Sequence, residues 1–396
     1  MKYKIILSLL LGLDALILFF QTTQIAISPS EASLLYGNNS FLQLLVTFSL
    51  KIFGQNDFGL RFVMISFHLL SAWLLYELSA KYLTLERNRL WLVIIFILLP
   101  GVLSSALVLS HAGLIIFGLF LYIYLSQKFN DYILCIVLFA YALLDIGFVY
   151  LFFGLAIYYL FQKKQILFFY NLLLLGLSIY IYGLNISGVP SGHFLDIIGV
   201  YSAIFTPVIF IYICYALYRG YLNDENDKIW YISSSVLLLS LLLSFRQRVE
   251  LELFAPYLIL ALPLAAKTFA HSYRVRLKKF RKRYRFIFVL AFIFLIFNAL
   301  IVMFNKELYL VLDNPKKHFA YKMHIAKELA QKLKDKNIFC VTTDKKMQNR
   351  LRFYSISRCS DTLLQEIKRD AENSDVTISY KNKILYKANV TKINNK

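Results

Sequence analysis

Long apolar runs fill the first three quarters of the chain, broken at intervals by short polar or basic clusters. A helix that crosses a bilayer needs about 20 mostly apolar residues, because each residue rises about 1.5 Å and the hydrocarbon core is about 30 Å thick. On that scale the pattern predicts helices over 5–25, 61–80, 90–108, 110–126, 131–147, 149–162, 165–183, 197–218, 229–245, 251–270 and 286–305. That makes about eleven membrane spans. Asp145 and Gly147 mark a tight hairpin or a kink within 131–162. The segment 41–54, FLQLLVTFSLKIFG, is short for a crossing and runs into Gln55, Asn56 and Asp57. It is expected to lie as a helix in the membrane interface. Lys2 and Lys4 precede an apolar run longer than the core of a cleavable signal, so a retained first helix is expected.

Beyond Asn305 the periodicity changes. Ala320, Met323, Ala326, Leu329 and Leu333 recur at helical spacing, which predicts a helix over 318–335. NIFCVTT (337–343) and RLRFYSIS (350–357) are expected as strands. The stretch 361–373 is expected as a helix capped by Asp361. Residues 375–382 and 383–388 are expected as strands around a turn at Lys381–Lys383. Alternating strands and helices predict a small open α/β sheet. The expected fold class is therefore an α-helical polytopic membrane protein. Residues 1–305 form its transmembrane domain and 306–396 a soluble C-terminal α/β domain.

Composition agrees with this division. Of 396 residues, 59% are hydrophobic and 17% charged, against roughly 45–50% and about 25% in soluble domains. That excess of apolar surface has to face lipid. The net charge of +20 sits in short loops and in the tail, so it reads as membrane topology and not as nucleic-acid binding. Alternate loops carry Lys2 and Lys4; Lys81, Arg87 and Arg89; Lys128; Lys163 and Lys164; Arg219 and Lys228; and the run 274–285. The loops around Ser110, Ile146 and 184–195 carry no Lys or Arg. The positive-inside rule then predicts a cytoplasmic N-terminus. An odd span count puts the tail outside, in the periplasm of a bacterial inner membrane. The run 274–285 is expected to anchor at anionic headgroups. Cys135 and Cys214 lie in apolar spans and are expected as packing residues. Cys340 and Cys359 are expected to pair in an oxidising compartment, the alternative being two separate buried thiols.

Among residues that could carry chemistry, Glu31 stands out, in Ser28-Pro29-Ser30-Glu31-Ala32 directly after the first helix. It could serve as a general base or as a cap on the next helix, whose first turn favours negative charge. His111, at a helix end, could bind an acceptor or a metal, or simply be a hydrogen-bonded interfacial histidine. His193 and Asp196 have the makings of a metal-ligand pair but lack a third partner; no cofactor is expected, with a divalent metal left open. Asp145 beside a membrane span is unusual.

The order of these elements resembles the N-terminal half of the C-type (GT-C) glycosyltransferases, especially the group of protein O-mannosyltransferases and the aminoarabinose transferase of lipid A. The shared features are a first helix, a short loop with an acidic residue, an interfacial segment ending in Phe53-Gly54, the step Leu60-Arg61 opening the second long helix, and Pro100-Gly101. FRQRVELELFAPYLILALPLA (245–265) also resembles the family's late outside loop. The resemblance covers 1–160, and more loosely 245–265. It rests on order and spacing. Three positions depart from it. The family's first acidic residue falls on Ser30, leaving only its Glu, as Glu31. A second acidic residue falls on or near His111. The Lys expected before Gly147 is absent, and the site reads Asp145-Ile146-Gly147.

The resemblance implies a donor sugar on a polyprenyl phosphate, an envelope acceptor (lipid, glycan or protein) and a reaction on the outer face of the membrane. Glu31 would take the acceptor's proton, and attack opposite the phosphate would invert the anomeric carbon. Arg61, Arg246 and Arg248 would steady the departing phosphate. Each has another reading: Arg61 could snorkel at the surface, and Arg246 and Arg248 could pair with Glu250 or Glu252. The lost acidic residues leave open a branch that uses one carboxylate differently or a scaffold without activity. A transporter or flippase of lipid-linked envelope components is the rival class. Against it, the sequence shows no convincing internal repeat, and the charges collect at helix ends.

Overall fold

The structure, a computed structural model, describes residues 2–37, 40–183, 192–223, 226–367 and 374–392. It is predominantly helical, with a small antiparallel sheet near the C-terminus. Each of the eleven segments predicted to span falls on a helix or a bent helix pair. Among the described residues, five helices are long and apolar enough to cross a membrane: Lys2–Gln24, Asp57–Lys81, Gln165–Tyr182, Leu251–Val275 and Lys278–Met303. Two bent pairs, Glu86–Leu98 with Pro100–Leu107 and Phe194–Phe205 with Pro207–Leu222, raise the number to seven if each pair is one span. The other four predicted spans fall on apolar helices of 10–17 residues. By length and composition the count is therefore five to seven. Helix Lys278–Met303 is only 11% buried over its most apolar window. Leu290, Ile293 and Phe297 on it are exposed. Water would penalise that surface heavily, at about 25 cal/mol per Å² of apolar area.

Both bends have a local cause. Proline disfavours helical backbone in the residue before it. Leu99 accordingly sits at φ −62°, ψ 127° before Pro100, and the axis turns by 63°. Thr206 sits at φ 66°, ψ 144° before Pro207, where the axis turns by 104°. The first bend also needs Gly101, because a Cβ there would stand 2.4 Å from Ile204 Cγ2.

The chain divides into two compact units. One comprises residues 1–15, 66–106 and 110–299, and the other 16–65, 107–109 and 300–396. In the first, helix Val149–Phe161 packs on Gln165–Tyr182 and on Lys228–Ser244, and helix His111–Ser126 packs on Leu251–Ile259. Three of the basic residues expected on one face, Lys81, Lys164 and Lys228, come near one another within this unit. Lys164 and Lys228 both bond Asp131. A cavity of about 570 Å³ is lined there by Lys81, Tyr82, Asp131, Tyr158, Asp227 and Lys228, among others. Asp14 and His68, both nearly buried, pair at 2.8 Å.

The second unit joins the loop after the first helix to the tail. Helix Pro29–Tyr36 starts with Pro29 in its first turn and a full capping box between Ser28 and Glu31. Helix Phe41–Phe53 starts with a second box between Ser40 and Gln43. It exposes Leu44, Phe48 and Ile52, the apolar side chains an interfacial helix would offer to lipid. The tail's core gathers Ala26 from the loop with Ile325, Leu329, Leu333, Val341, Leu351, Ile378 and Leu385.

Within the tail the expected elements hold only in part. Helix Ala326–Asp335 is shorter than predicted and is preceded by a 3-10 turn over Tyr321–His324. The expected strand over 350–357 is instead helix Lys345–Phe353. Its cap is Asp344, which accepts from Met347 N at 3.1 Å, and Met347 and Leu351 share its buried face at i, i+4. The expected helix over 361–373 begins as strand Thr362–Glu366; residues 368–373 lie outside the described set. Pairing with the long strand Lys383–Lys392, from Thr362↔Lys392 to Glu366↔Ala388, overrides local helix propensity. Val376–Tyr380 pairs on the other edge of Lys383–Lys392, around the predicted turn. NIFCVTT contributes two isolated bridges, Cys340↔Ser357 and Thr342↔Leu363. Cys340 and Cys359 are joined by a disulfide, with Cα atoms 5.5 Å apart.

Candidate functional site

The first candidate lies in the second unit, around Glu31. The capping box turns its carboxylate inward, leaving Ser30 exposed and Glu31 with no accessible surface. Oε2 accepts from Ser28 N at 2.7 Å and from Arg61 Nη2 at 3.4 Å, and Oε1 accepts from Leu109 N at 3.0 Å. A carboxylate has about four lone-pair sites, so most of its accepting capacity is already in use.

Arg61 is equally enclosed, with no exposed side-chain surface. Its Nε donates to Leu107 O at 2.6 Å, Nη1 to Ile25 O at 3.0 Å and Nη2 to Ala26 O at 3.1 Å. Asp57 stands 3.7 Å from Nη1. Three backbone carbonyls from two segments and two carboxylates thus surround one guanidinium. The snorkelling position considered from the sequence does not occur.

The cluster extends into the tail. The Tyr354 hydroxyl donates to Asp57 Oδ1 at 2.7 Å and accepts from Ile27 N at 3.0 Å. Burial, and after it the Asp57 carboxylate, push the Tyr354 hydroxyl's pKa upward. Lys327 Nζ lies 2.8 Å from Asp57 Oδ2. Arg350 Nε donates to Ile27 O at 3.0 Å, and Arg350 Nη2 bonds Lys322 O. Burial pulls this guanidinium down to about 10, so it stays charged at neutral pH. Asp57, Tyr354, Arg350 and Lys327 escaped the sequence reading. Their signal was weak: a lone acid opening a long apolar helix, and one arginine among several basic residues of the tail.

The second candidate lies in the first unit, around His111. Helix His111–Ser126 starts at this residue, and Ser110 makes no side-chain cap. The cap comes from far along the chain: His111 N donates to Glu252 Oε1 at 2.7 Å. The imidazole Nδ1 lies 2.6 Å from Asp145 Oδ2. Asp145 is almost wholly buried, and its Oδ1 accepts from Gly147 N at 2.8 Å. Gly147 O in turn accepts from the buried Tyr257 hydroxyl at 2.7 Å. The imidazole keeps 26% of its side-chain surface exposed. Its Nε2 makes no hydrogen bond to the described residues.

Arg246 and Arg248 lie in the same unit, exposed, four to six residues before Glu252. Among the described residues neither guanidinium has an ion-pair or hydrogen-bond partner, so the pairing with Glu250 or Glu252 considered from the sequence is not formed. His193 Nδ1 lies 3.2 Å from Asp196. Among the described residues no group of three or more His, Cys, Asp or Glu could hold a metal. Asp14 and His68 were also missed, although a single acid inside an apolar span is the kind of residue that needs a partner.

Compared with known proteins, this chain matches no family model and no curated protein.

Proposed function

We propose that this chain is a membrane glycosyltransferase that moves a sugar from a polyprenyl-phosphate donor to an envelope acceptor, with a cytoplasmic N-terminus and a periplasmic tail. The observation that carries the reading is the pair Arg246 and Arg248, unpartnered among the described residues, on the loop that leads into the helix that Glu252 ties to His111. A phosphate leaving group needs cations free to meet it, and arginine grips phosphate with two parallel bonds. The order of the N-terminal elements, from the capped loop through the short apolar helix Phe41–Phe53 to Arg61, supports the same reading. Nucleotide sugars are not supplied outside the cytoplasm, which favours a lipid-held donor.

Arg61, already saturated, serves here as a structural staple and not as a phosphate ligand. One observation favours a second reading, a scaffold without transfer activity: the position of the family's first acid is an exposed serine, and the surviving Glu31 is closed off. The same experiment separates the two. The full chain, purified into nanodiscs, is given radiolabelled polyprenyl-phosphate hexoses and pentoses with an envelope lipid and glycan extract. Label moving into the extract is the expected result. Its absence with every donor, together with unchanged envelope glycolipid masses after gene deletion, would favour the scaffold.

A further inference from the structure

The geometry points to His111 as the general base of the proposed transfer, oriented by Asp145. This assignment rests on the transferase reading and moves the proton-accepting role away from Glu31.

Three observations carry it. First, of the two acid–base candidates only His111 offers an accepting atom. Asp145 occupies Nδ1 at 2.6 Å, which fixes the neutral ring with its proton on that side. Nε2 is left with a free lone pair on a partly exposed ring. Glu31, by contrast, has no surface and three donors on its oxygens. Second, the pair is rigidly held. Asp145 is pinned by Gly147 N, Gly147 by Tyr257, and the start of the His111 helix by Glu252. Tyr257 and Glu252 both belong to helix Leu251–Ile259, so one element supports both ends of the pair. A base locked by its neighbours is what efficient proton transfer needs. Third, Arg246 and Arg248, the cations proposed to meet the phosphate, lie four to six residues before Glu252, the residue that holds the start of the His111 helix.

In the step, the acceptor hydroxyl gives its proton to His111 Nε2. Its oxygen forms the bond to the anomeric carbon, and the bond from that carbon to the phosphate oxygen breaks. The electron pair leaves with polyprenyl phosphate. The imidazolium, stabilised by Asp145 and flanked by the carboxylates of Glu250 and Glu252, then releases the proton to water. Asp145 is a positioning residue in this scheme.

The test uses the full chain in nanodiscs, with the donors and extract named above, and reads rate against pH and donor binding for wild type, His111→Gln and Asp145→Asn. Loss of a general base lowers the rate by about 10²–10⁴-fold, so H111Q is expected to fall in that range with donor binding intact. D145N keeps the ring but removes the carboxylate that favours its protonation. Its acid limb is expected at lower pH, with a smaller fall in rate. Wild-type transfer matched by H111Q at an unchanged pH profile overturns the base assignment and leaves the transferase standing. If H111Q does not fold, an unchanged acid limb in D145N overturns the assignment in its place. A wild-type chain that transfers from no donor overturns the transferase reading and the base with it.

Discussion

The charge cluster around Arg61 and the pair at His111 are built from the same kinds of group but put to opposite uses. At Arg61 every guanidinium nitrogen is committed, to three carbonyls and to carboxylates, and no surface remains. At His111 one ring nitrogen is committed and the other is left open. A charge taken fully out of water has to be satisfied on all sides or it costs several kcal/mol, and a group satisfied on all sides has nothing left for a substrate. Completeness fits a structural role, and a single missing partner is what the proposed chemistry needs.

The contrast can be broken from its strongest side. Arg61→Ala strips donors from three buried carbonyls, takes the paired cation from the buried Glu31 and leaves Asp57 to Lys327 and Tyr354. It should cost about 3–5 kcal/mol, read as a lowered unfolding midpoint in detergent. A midpoint that does not move would mean that the cluster is not holding the second unit together.

Glu31→Gln keeps the size and most hydrogen bonds but loses the charge. Arg61 retains Asp57, so a smaller loss of about 1–3 kcal/mol is expected. Transfer by the folded E31Q protein, at a rate close to wild type, would sharpen the comparison. A rate lowered by orders of magnitude with stability intact would reverse it. Replacing both Cys340 and Cys359 by Ser opens a loop with a sequence separation of 19 and should cost about 3 kcal/mol on the chain-entropy argument, measured by denaturation of the second unit.

Acid should act on that same unit through His324. Burial, with Lys306 and His318 nearby, drives its pKa down to about 3, against about 6.5 for a free histidine. The unfolded chain therefore binds a proton that the folded chain refuses. Stability is complete above about pH 6.5 and falls as the pH drops toward 3. From pH 7 to pH 5 the loss is about 2 kcal/mol, and His324→Phe should flatten that slope. The smallest change in stability belongs to Arg246→Ala with Arg248→Ala. Exposed, unpartnered side chains contribute within about 0.5 kcal/mol. Transfer by this variant should nevertheless fall about 10- to 100-fold, the worth of a charge-assisted phosphate contact.

Helix placement was legible in the sequence because apolar run length is a local property, and each predicted span is helical. The number that cross is a separate question: length and composition give five to seven among the described residues against about eleven expected, because helices such as Asp131–Leu144 and Val149–Phe161 fall short of about 20 residues. The tail was misread at 350–357 and 361–373 because neighbours decided the outcome: a cap at Asp344 in one case and a partner strand in the other. Glu31 was singled out from its position after the first helix. Its closure depends on Leu109 and Arg61, which no local pattern ties to it. The sequence marks Asp145 as a break between helices and as an unusual acid, but not as a partner of His111, which lies 34 residues away.

The backbone around Ile27 is gripped by Arg350 and Tyr354, across sequence separations of 323 and 327 residues. At about 5–20 residues per second, a ribosome needs roughly 16–65 s to reach those partners after making the loop. For that interval residues 26–36 wait on a nascent chain without their final covering. Any factor that shelters the early loop would have to arrive within the first seconds of synthesis and leave before the last helices emerge.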